Sequence, residues 1–500
     1  MAVAATQISL LERADGRALS SVLRDHARHL PIAAVLALVV GIHIPTLDHF
    51  FFGDDFVVLD DIRTRSFSAY ATDVVLLRDI TPNWRPLTML VYWGEFQLFG
   101  FDAMAWRIVN LAAHVATVLV LYAVVLTMTR RLFVAVAAAL VFGVTASAVH
   151  TVTYITALPH VLSQLFLLSS LGLLHLYVRS DERSQRWYWG ALALFIAGFL
   201  ANEGGVVFAG VLFAYYFVES FLRRRDLLDA VAKMLPFAIV SVLLVGSLGG
   251  CGCQGVENGF YGLGWHIPRE YFVYMSRLAW PVGPIPLDPT ALEWTVGAVV
   301  IAVALFFIIR GPDVARVAAV GMLLGVTPYV PGKIWTASRY TYMATPFFAV
   351  LAAVGAGFVF HQLLRLWRPA AYGLGAAALL AAAGLYSWQY IDQTQPFLDD
   401  TERWEQLVAG LQEHYPEVPA GSTVYVVEEE GRWSNPFWYG WLQSVSRSVY
   451  GEGVRLMALP ADHLLALERS RSEPAYYLKL EDGELVALAP YEVKLLQPRD

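Results

Sequence analysis

Long apolar runs, separated by short polar segments, dominate the first four-fifths of the chain. A helix that crosses a bilayer needs about 20 mostly apolar residues. The pattern therefore predicts an all-α polytopic membrane protein with about eleven transmembrane helices. The runs lie near 30–47, 103–126, 132–150, 158–178, 187–201, 204–220, 232–249, 292–310, 314–331, 338–362 and 369–390.

Arginine clusters between these runs indicate an orientation. Membrane proteins keep an excess of Arg and Lys in their cytoplasmic loops. With eleven spans, every cluster falls on one side, so we expect a cytoplasmic N-terminus and an extracytoplasmic C-terminus. No Asn-x-Ser/Thr sequon occurs, which favours a bacterial inner membrane. The clusters are Arg24 and Arg28, Arg130 and Arg131, Arg179, Arg183 and Arg186, Arg223 to Arg225, Arg310 and Arg316, and Arg365 and Arg368.

The last hundred residues have the character of a soluble domain. Thr401 to His414 predicts an amphipathic helix, Ser422 to Val427 a strand, and Tyr476 to Leu488 a hairpin that turns at Asp482-Gly483. We expect a small extracytoplasmic α/β domain at 392–500.

The remaining residues, 1–391, are expected to form a transmembrane catalytic domain. Its long connections, 48–102 and 250–291, both fall on the outer side. Polar residues capable of chemistry collect on that same side.

Composition excludes several classes of protein. The chain is 57% hydrophobic and 15% charged, whereas soluble domains are about 45–50% apolar and about 25% charged. A net charge of −7 without a basic run argues against nucleic acid. Gly250 to Gly255 matches G-x-G-x-x-G but follows a span rather than a strand, which argues against a dinucleotide cofactor. The two cysteines of that loop, Cys251 and Cys253, either form a local disulfide or stay free.

An acidic pair opens the first outer loop. Asp54 and Asp55 follow the aromatic cluster Phe50 to Phe52 at the end of the first span. A partly desolvated carboxylate at the interface can act as a base, and a helix cap is the alternative. We expect no metal, although paired Asp side chains can hold a divalent cation.

Two arginines are candidates for binding a phosphate at headgroup depth. Arg85 stands between Trp84 and Pro86, and Arg339 is followed by Tyr340. Guanidinium groups bind phosphate through two parallel hydrogen bonds. An anchor in the aromatic belt is the alternative for Arg85.

Further polar residues lie at the outer ends of the spans. Asn110 and His114 share one face of the second span with Arg107, and that face must point into the bundle or a cavity. A satisfied packing residue is the alternative for each histidine. The other candidates at this depth are His150, His160 and Glu203.

These motifs, in this order, resemble the GT-C superfamily of membrane glycosyltransferases. The acidic pair is followed by Trp-Arg-Pro-Leu and then by the Asn and His of the second span. The resemblance continues in VHTVTYITALPHVLSQLFLLSSL (149–171), ANEGG (201–205) and SRYTYMATPFF (338–348). It covers about 350 residues and is closest to the transmembrane O-mannosyltransferases and their bacterial relatives.

The resemblance implies a function. Such enzymes transfer a sugar from a polyprenyl-phosphate carrier on the extracytoplasmic side, to a protein, polysaccharide or lipid acceptor. Carried over, Asp54 is the first choice for the base and Asp55 the second. Arg85 and Arg339 would hold the lipid phosphate with help from Tyr340. The sugar pocket would be shaped by Glu203, His150 and His160.

Protein O-mannosylation is one form that this function could take. A transferase for a cell-envelope polysaccharide or glycolipid is its alternative. A flippase or transporter for lipid-linked sugars would instead place polar residues at the membrane midplane in two related halves. A non-catalytic scaffold would leave the clustered Asp, Arg, His and Glu unexplained.

Overall fold

Helices make up most of the chain, and a four-stranded sheet lies near its end. The computed structural model describes residues 29–76, 85–145, 149–180, 184–223, 226–249, 262–280, 289–332, 337–427, 436–459, 474–481 and 484–488. The predictions for Cys251, Cys253, Asn83 and Trp84 fall outside these residues.

The described α-helices follow the apolar runs closely. In chain order they are α1 (Leu30–His43), α2 (Asp54–Thr64), α3 (Phe67–Leu76), α4 (Pro86–Phe99), α5 (Ala103–Thr129), α6 (Leu132–Gly143), α7 (Val149–Val152), α8 (Leu158–Arg179), α9 (Gln185–Ala201), α10 (Phe208–Phe217), α11 (Leu227–Gly249), α12 (His266–Ala279), α13 (Ala291–Arg310), α14 (Asp313–Gly325), α15 (Thr345–Leu366), α16 (Arg368–His414) and α17 (Pro436–Tyr450). Short 3-10 helices cover Ile44–Thr46, Ile155–Ala157, Glu203–Val207 and Ser338–Thr341, and a π-helix covers Val218–Leu222.

The chain is an integral membrane protein. Every predicted apolar run contains a helix, but the count of eleven spans is not confirmed. Among the described residues, seven helices are long and apolar enough to cross a bilayer. They are Ala103–Thr129, Ile155–Arg179, Glu203–Leu222, Leu227–Gly246, Ala291–Arg310, Thr345–Leu366 and Arg368–His414. Two further apolar helices, Leu30–Thr46 and Leu132–Gly143, are shorter.

Helix α5 lies at the centre of the bundle. It packs against α6 and α8, and α8 in turn packs against α9. The start of α5 is fixed locally, because Asp102 caps the helix by accepting a hydrogen bond from the backbone N–H of Ala105 at 3.2 Å. Its polar face, carrying Arg107, Asn110 and His114, is buried as the sequence predicted.

The C-terminal sheet has the strand order β2-β1-β3-β4. Its strands are β1 (Thr423–Val427), β2 (Arg455–Leu459), β3 (Ala475–Glu481) and β4 (Glu484–Leu488). The first strand pairs in parallel with β2 and β3, and β3 pairs antiparallel with β4. The predicted strand and hairpin are confirmed, with Glu481 opposite Glu484.

One continuous helix joins the bundle to the sheet. The sequence suggested a span ending near 390 and a separate amphipathic helix from Thr401, but α16 runs through both and includes Pro396. Its C-terminal half carries Trp404, which is 0% exposed and packs against Phe56 at 5.4 Å between ring centroids. Helix α17 also packs on α2, and its Trp441 lies 6.2 Å from Trp404 between ring centroids. Because α2 also contacts α4, it packs against both the bundle and the C-terminal domain.

We predict that Trp404→Ala loosens this junction. Removing a fully buried Trp side chain costs about 3–5 kcal/mol, so we expect a lower melting temperature and faster tryptic cleavage of the C-terminal domain in detergent. Trp388→Ala is the matched control, because Trp388 lies on the same helix and is 59% exposed. Equal melting temperatures for the two variants would contradict the junction described.

Candidate active site

The acidic pair stands at the N-terminus of α2, where a glycine reverses the chain. Gly53 precedes the helix with a φ of +53°, a conformation that favours glycine. Asp54 and Asp55 form the first turn, where the helix dipole stabilises negative charge. The two side chains point to different partners.

Asp55 is buried and fully engaged, with an exposed fraction of 1%. One carboxyl oxygen accepts the backbone N–H of Phe52 and the other accepts that of Thr156, both at 3.0 Å. Burial raises the pKa of Asp55 to about 7, against the charge of Arg107 and these two hydrogen bonds, which lower it. Asp55 therefore joins the segment before α2 to the segment before α8.

Asp54 is partly exposed, and its hydrogen-bond partners differ from those of Asp55. Its backbone N–H donates to the hydroxyl of Tyr154 at 3.0 Å. Its carboxyl Oδ1 accepts a hydrogen bond from the indole N–H of Trp441 at 2.7 Å. Of the two acidic residues, Asp54 is thus the one whose carboxylate is partly exposed and, among the described residues, accepts no backbone N–H from the segments that Asp55 joins.

Arg107 and Asn110 hold the two non-helical segments that carry the site. Arg107 donates to the carbonyls of His49, Phe50 and Thr153. Asn110 donates to the carbonyls of Tyr154 and Ile155, at 3.1 and 3.3 Å. Carbonyls outside a helix need such donors where water is scarce.

Arg339 lies beside Tyr154, whose hydroxyl contacts the backbone of Asp54. Its guanidinium lies 5.4 Å from the ring centroid of Tyr154 and 5.2 Å from that of Tyr340. Both distances suit a cation–π contact. Among the described residues, no carboxylate forms an ion pair with Arg339 within 4 Å. Its positive charge therefore remains available to an anion.

A row of rings continues from Arg339 into the bundle. Tyr340 stacks on Tyr329, with centroids 4.8 Å apart and planes at 11°. The hydroxyl of Tyr329 meets Nδ1 of His160 at 3.2 Å, and the amide nitrogen of Asn202 lies 3.4 Å from the same atom. His160 is thus part of a polar cluster with Tyr329 and Asn202.

Arg85 and Glu203 form a bidentate ion pair. Nε and Nη2 of Arg85 donate to the two carboxyl oxygens of Glu203, each at 2.8 Å. The pair connects the start of α4 to the turn after α9. Since the guanidinium already binds a carboxylate, Arg85 differs from Arg339 in its readiness to hold a phosphate. The positive charges of Arg85 and Arg339 both lie close enough to act on His160.

The structure does not bring His114 into this cluster. His114 binds the hydroxyl of Tyr342 at 2.7 Å and the carbonyl of Gly143 at 3.2 Å. It lies seven residues, or about 10 Å, along α5 from Arg107. His150 lies on α7, and its side chain is outside the described part of the chain.

The two carboxylates of the acidic pair have different partners, and the expectation that no metal binds there stays a prediction. Both oxygens of Asp55 accept backbone N–H groups, whereas Oδ1 of Asp54 accepts the indole N–H of Trp441. Among the described residues, no three His, Cys, Asp or Glu side chains come together as a ligand set.

Sequence reasoning missed three aromatic residues of the site. Tyr154 lies inside the motif 149–171 but was not singled out, although it touches both Asp54 and Arg339. Tyr329 ends the ninth apolar run, where its hydroxyl could have signalled an interfacial position. Trp441 lies 387 residues after Asp54, and no local pattern links the two.

Two solved structures share this architecture. AglB, an archaeal oligosaccharyltransferase from Archaeoglobus fulgidus in complex with an inhibitory peptide and a dolichol-phosphate, matches with a TM-score of 0.52 at 13% identity. The match covers 86% of this chain and 64% of that chain, so this chain spans less than two thirds of the archaeal protein. ArnT from Cupriavidus metallidurans, bound to undecaprenyl phosphate, matches with a TM-score of 0.50 at 13% identity, over 90% and 93% of the two chains. No protein-family model and no curated protein sequence matches the chain.

The chain has the GT-C fold. Both neighbours are GT-C membrane glycosyltransferases, so the fold implied by the sequence motifs is confirmed. At 13% identity, this likeness concerns the architecture. The chemistry has to be argued from the residues of the site itself.

We predict that the two acidic residues respond differently to amidation. In Asp55→Asn the new NH2 group faces one of two backbone N–H donors, and a buried donor without an acceptor costs about 1–3 kcal/mol. We therefore expect a lower melting temperature for Asp55→Asn and an unchanged one for Asp54→Asn, whose amide oxygen can still accept from Trp441. A lower melting temperature for Asp54→Asn than for Asp55→Asn would contradict the conclusion that Asp55 is the buried residue that joins the two segments.

Proposed function

We propose that this protein is a glycosyltransferase that moves a sugar from a polyprenyl-phosphate carrier to an acceptor hydroxyl. The observation that carries the proposal is the placement of a partly exposed carboxylate and a guanidinium around one tyrosine. The hydroxyl of Tyr154 accepts from Asp54, and its ring lies under Arg339. The proposed base and the proposed phosphate ligand thus lie next to the same tyrosine.

The donor class follows from the position of Arg339. A polyprenyl phosphate keeps its tail in lipid and its phosphosugar at headgroup depth, where a guanidinium that forms no close ion pair among the described residues can attract the phosphate. The archaeal neighbour is solved with a dolichol-phosphate and the bacterial one with undecaprenyl phosphate. These ligands support a lipid-linked donor for this chain.

The proposed reaction is a single group transfer. The acceptor oxygen attacks the anomeric carbon of the sugar, and the bond from that carbon to the phosphate oxygen breaks. The acceptor proton passes to the carboxylate of Asp54. The polyprenyl phosphate leaves with the bonding electron pair, and Arg339 stabilises its added charge.

The polar cluster beyond Tyr340 is the proposed sugar pocket. His160, Asn202 and Tyr329 bring a ring nitrogen, an amide and a hydroxyl group together in this cluster. The Arg85–Glu203 pair closes the pocket on the side of α4. We propose that it orders the pocket and that Arg339 is the main phosphate ligand. The acceptor is a hydroxyl of a protein, a polysaccharide or a glycolipid.

We predict that Asp54→Asn abolishes transfer while the protein stays folded. Losing a general base slows a reaction by about 10²- to 10⁴-fold. The measurement is label transfer from a panel of radiolabelled polyprenyl-phosphate sugars by purified protein, with a membrane extract supplying acceptors. Asp48→Asn is the control, because Asp48 is an exposed carboxylate in the same loop. If the wild type consumes no donor and all variants behave alike, the transferase proposal fails and a flippase becomes the better account.

We predict that Arg339→Gln weakens donor binding. Hydrogen bonds to charged groups contribute about 1.5–3 kcal/mol, so the KM for the donor should rise about 10- to 100-fold. Arg368→Gln is the control, because Arg368 is an exposed arginine at the start of α16. An unchanged KM in Arg339→Gln would remove Arg339 from the donor site.

A further inference from the structure

A residue of the C-terminal domain reaches the acidic side chain at the centre of the site. The indole N–H of Trp441, on α17, donates to Oδ1 of Asp54 at 2.7 Å. An N–H bond to an ionised acceptor is stronger than one between neutral groups. The contact joins residues on opposite sides of the junction between the membrane bundle and the C-terminal domain.

The backbone beside Asp54 is shaped to receive this indole. A Cβ built on Gly53 would lie 3.3 Å from three ring atoms of Trp441, so a side chain there would press on the ring. The positive φ of Gly53 makes the same position unfavourable for other residues. Phe52 and Trp404 pack on the ring from two more directions, at 5.8 and 6.2 Å between centroids. The indole therefore has one well-defined orientation.

Separate contacts hold α17 on α2. Arg447 pairs with Asp60, with Nε 2.6 Å from the carboxyl oxygen. Arg63 donates to the backbone carbonyls of Arg447 and Ser448. Asp60 and Arg63 lie about 1.7 and 2.5 turns along α2 from Asp54. These contacts fix the docking of the domain without touching the carboxylate, so docking and the Trp441 hydrogen bond can be separated by substitution.

We propose that Trp441 is a positioning residue that holds the carboxylate of Asp54 for the reaction, so that the C-terminal domain completes the active site. The role in catalysis rests on the proposed function. With Oδ1 engaged by the indole, Oδ2 is the oxygen that meets the acceptor hydroxyl. Fixing the rotamer of a base in advance raises the rate of the chemical step rather than the affinity for the donor.

The hydrogen bond itself is tested without any activity assay. The full-length protein, labelled with ¹⁵N-tryptophan in lipid nanodiscs, should give indole N–H signals from its 15 tryptophans. The signal of Trp441 is identified by its loss in Trp441→Phe. We expect it to move to lower proton frequency in Asp54→Ala, which removes the acceptor, and to stay in place in Arg447→Gln. A Trp441 signal whose proton frequency is unchanged in Asp54→Ala would overturn the proposal.

The kinetic consequence is tested by Trp441→Phe, which keeps a ring on Gly53 and removes the N–H. We expect kcat to fall about 10- to 100-fold, with the donor KM and the melting temperature close to those of the wild type. Arg447→Gln removes a half-exposed ion pair and should leave kcat within about threefold.

The alternative outcomes are distinct. Equal losses of kcat in Trp441→Phe and Arg447→Gln would mean that docking alone matters, which overturns the positioning role. An unchanged kcat in Trp441→Phe overturns it as well. A wild type that transfers no sugar refutes the proposed function, while the NMR comparison still decides whether Trp441 holds Asp54.

Discussion

The site depends on the hydrogen bonds that pair backbone groups outside the α-helices, next to a bilayer. The segments before α2 and before α8 each carry carbonyls and N–H groups that no helix can pair. Arg107 and Asn110 supply donors to the carbonyls of both segments, and Asp55 accepts one N–H from each. Since an unpaired backbone group costs several kcal/mol in lipid, this network fixes the two segments against each other. By fixing these segments, the network also fixes the position of Asp54 beside Tyr154.

The same network explains why two adjacent carboxylates differ so much. Both carboxyl oxygens of Asp55 accept backbone hydrogen bonds, and burial raises its pKa to about 7. Asp54 instead contacts Trp441 through Oδ1, and its charge acts on Arg339. The proposed transfer from a lipid phosphate requires a base close to a phosphate-binding cation, which are the roles proposed for these two residues. The C-terminal domain then contributes directly to the site rather than merely extending from it.

The sequence predicted the fold class, since apolar runs and motif order are local signals, while the roles given to the site residues stay predictions. The GT-C fold and the hairpin at 476–488 are confirmed, whereas the count of eleven spans is not. Local signals could not separate Asp54 from Asp55, because their difference arises from contacts with Thr156 and Trp441. The sequence motifs led us to give Arg85 and Glu203 separate roles, although the two residues form an ion pair across 118 positions. His114 was correctly placed on a buried face, but depth along α5 keeps it out of the cluster.

The most direct test of the account is a cryo-electron microscopy structure of the full-length protein with a bound polyprenyl phosphate. The account predicts that the phosphate lies against the guanidinium of Arg339, with Asp54 facing the side from which an acceptor would attack. The Arg85–Glu203 pair should remain closed beside it. Phosphate density at the opposite end of the bundle, near Arg179 and Arg223, or anywhere out of reach of Arg339, would contradict the central claim.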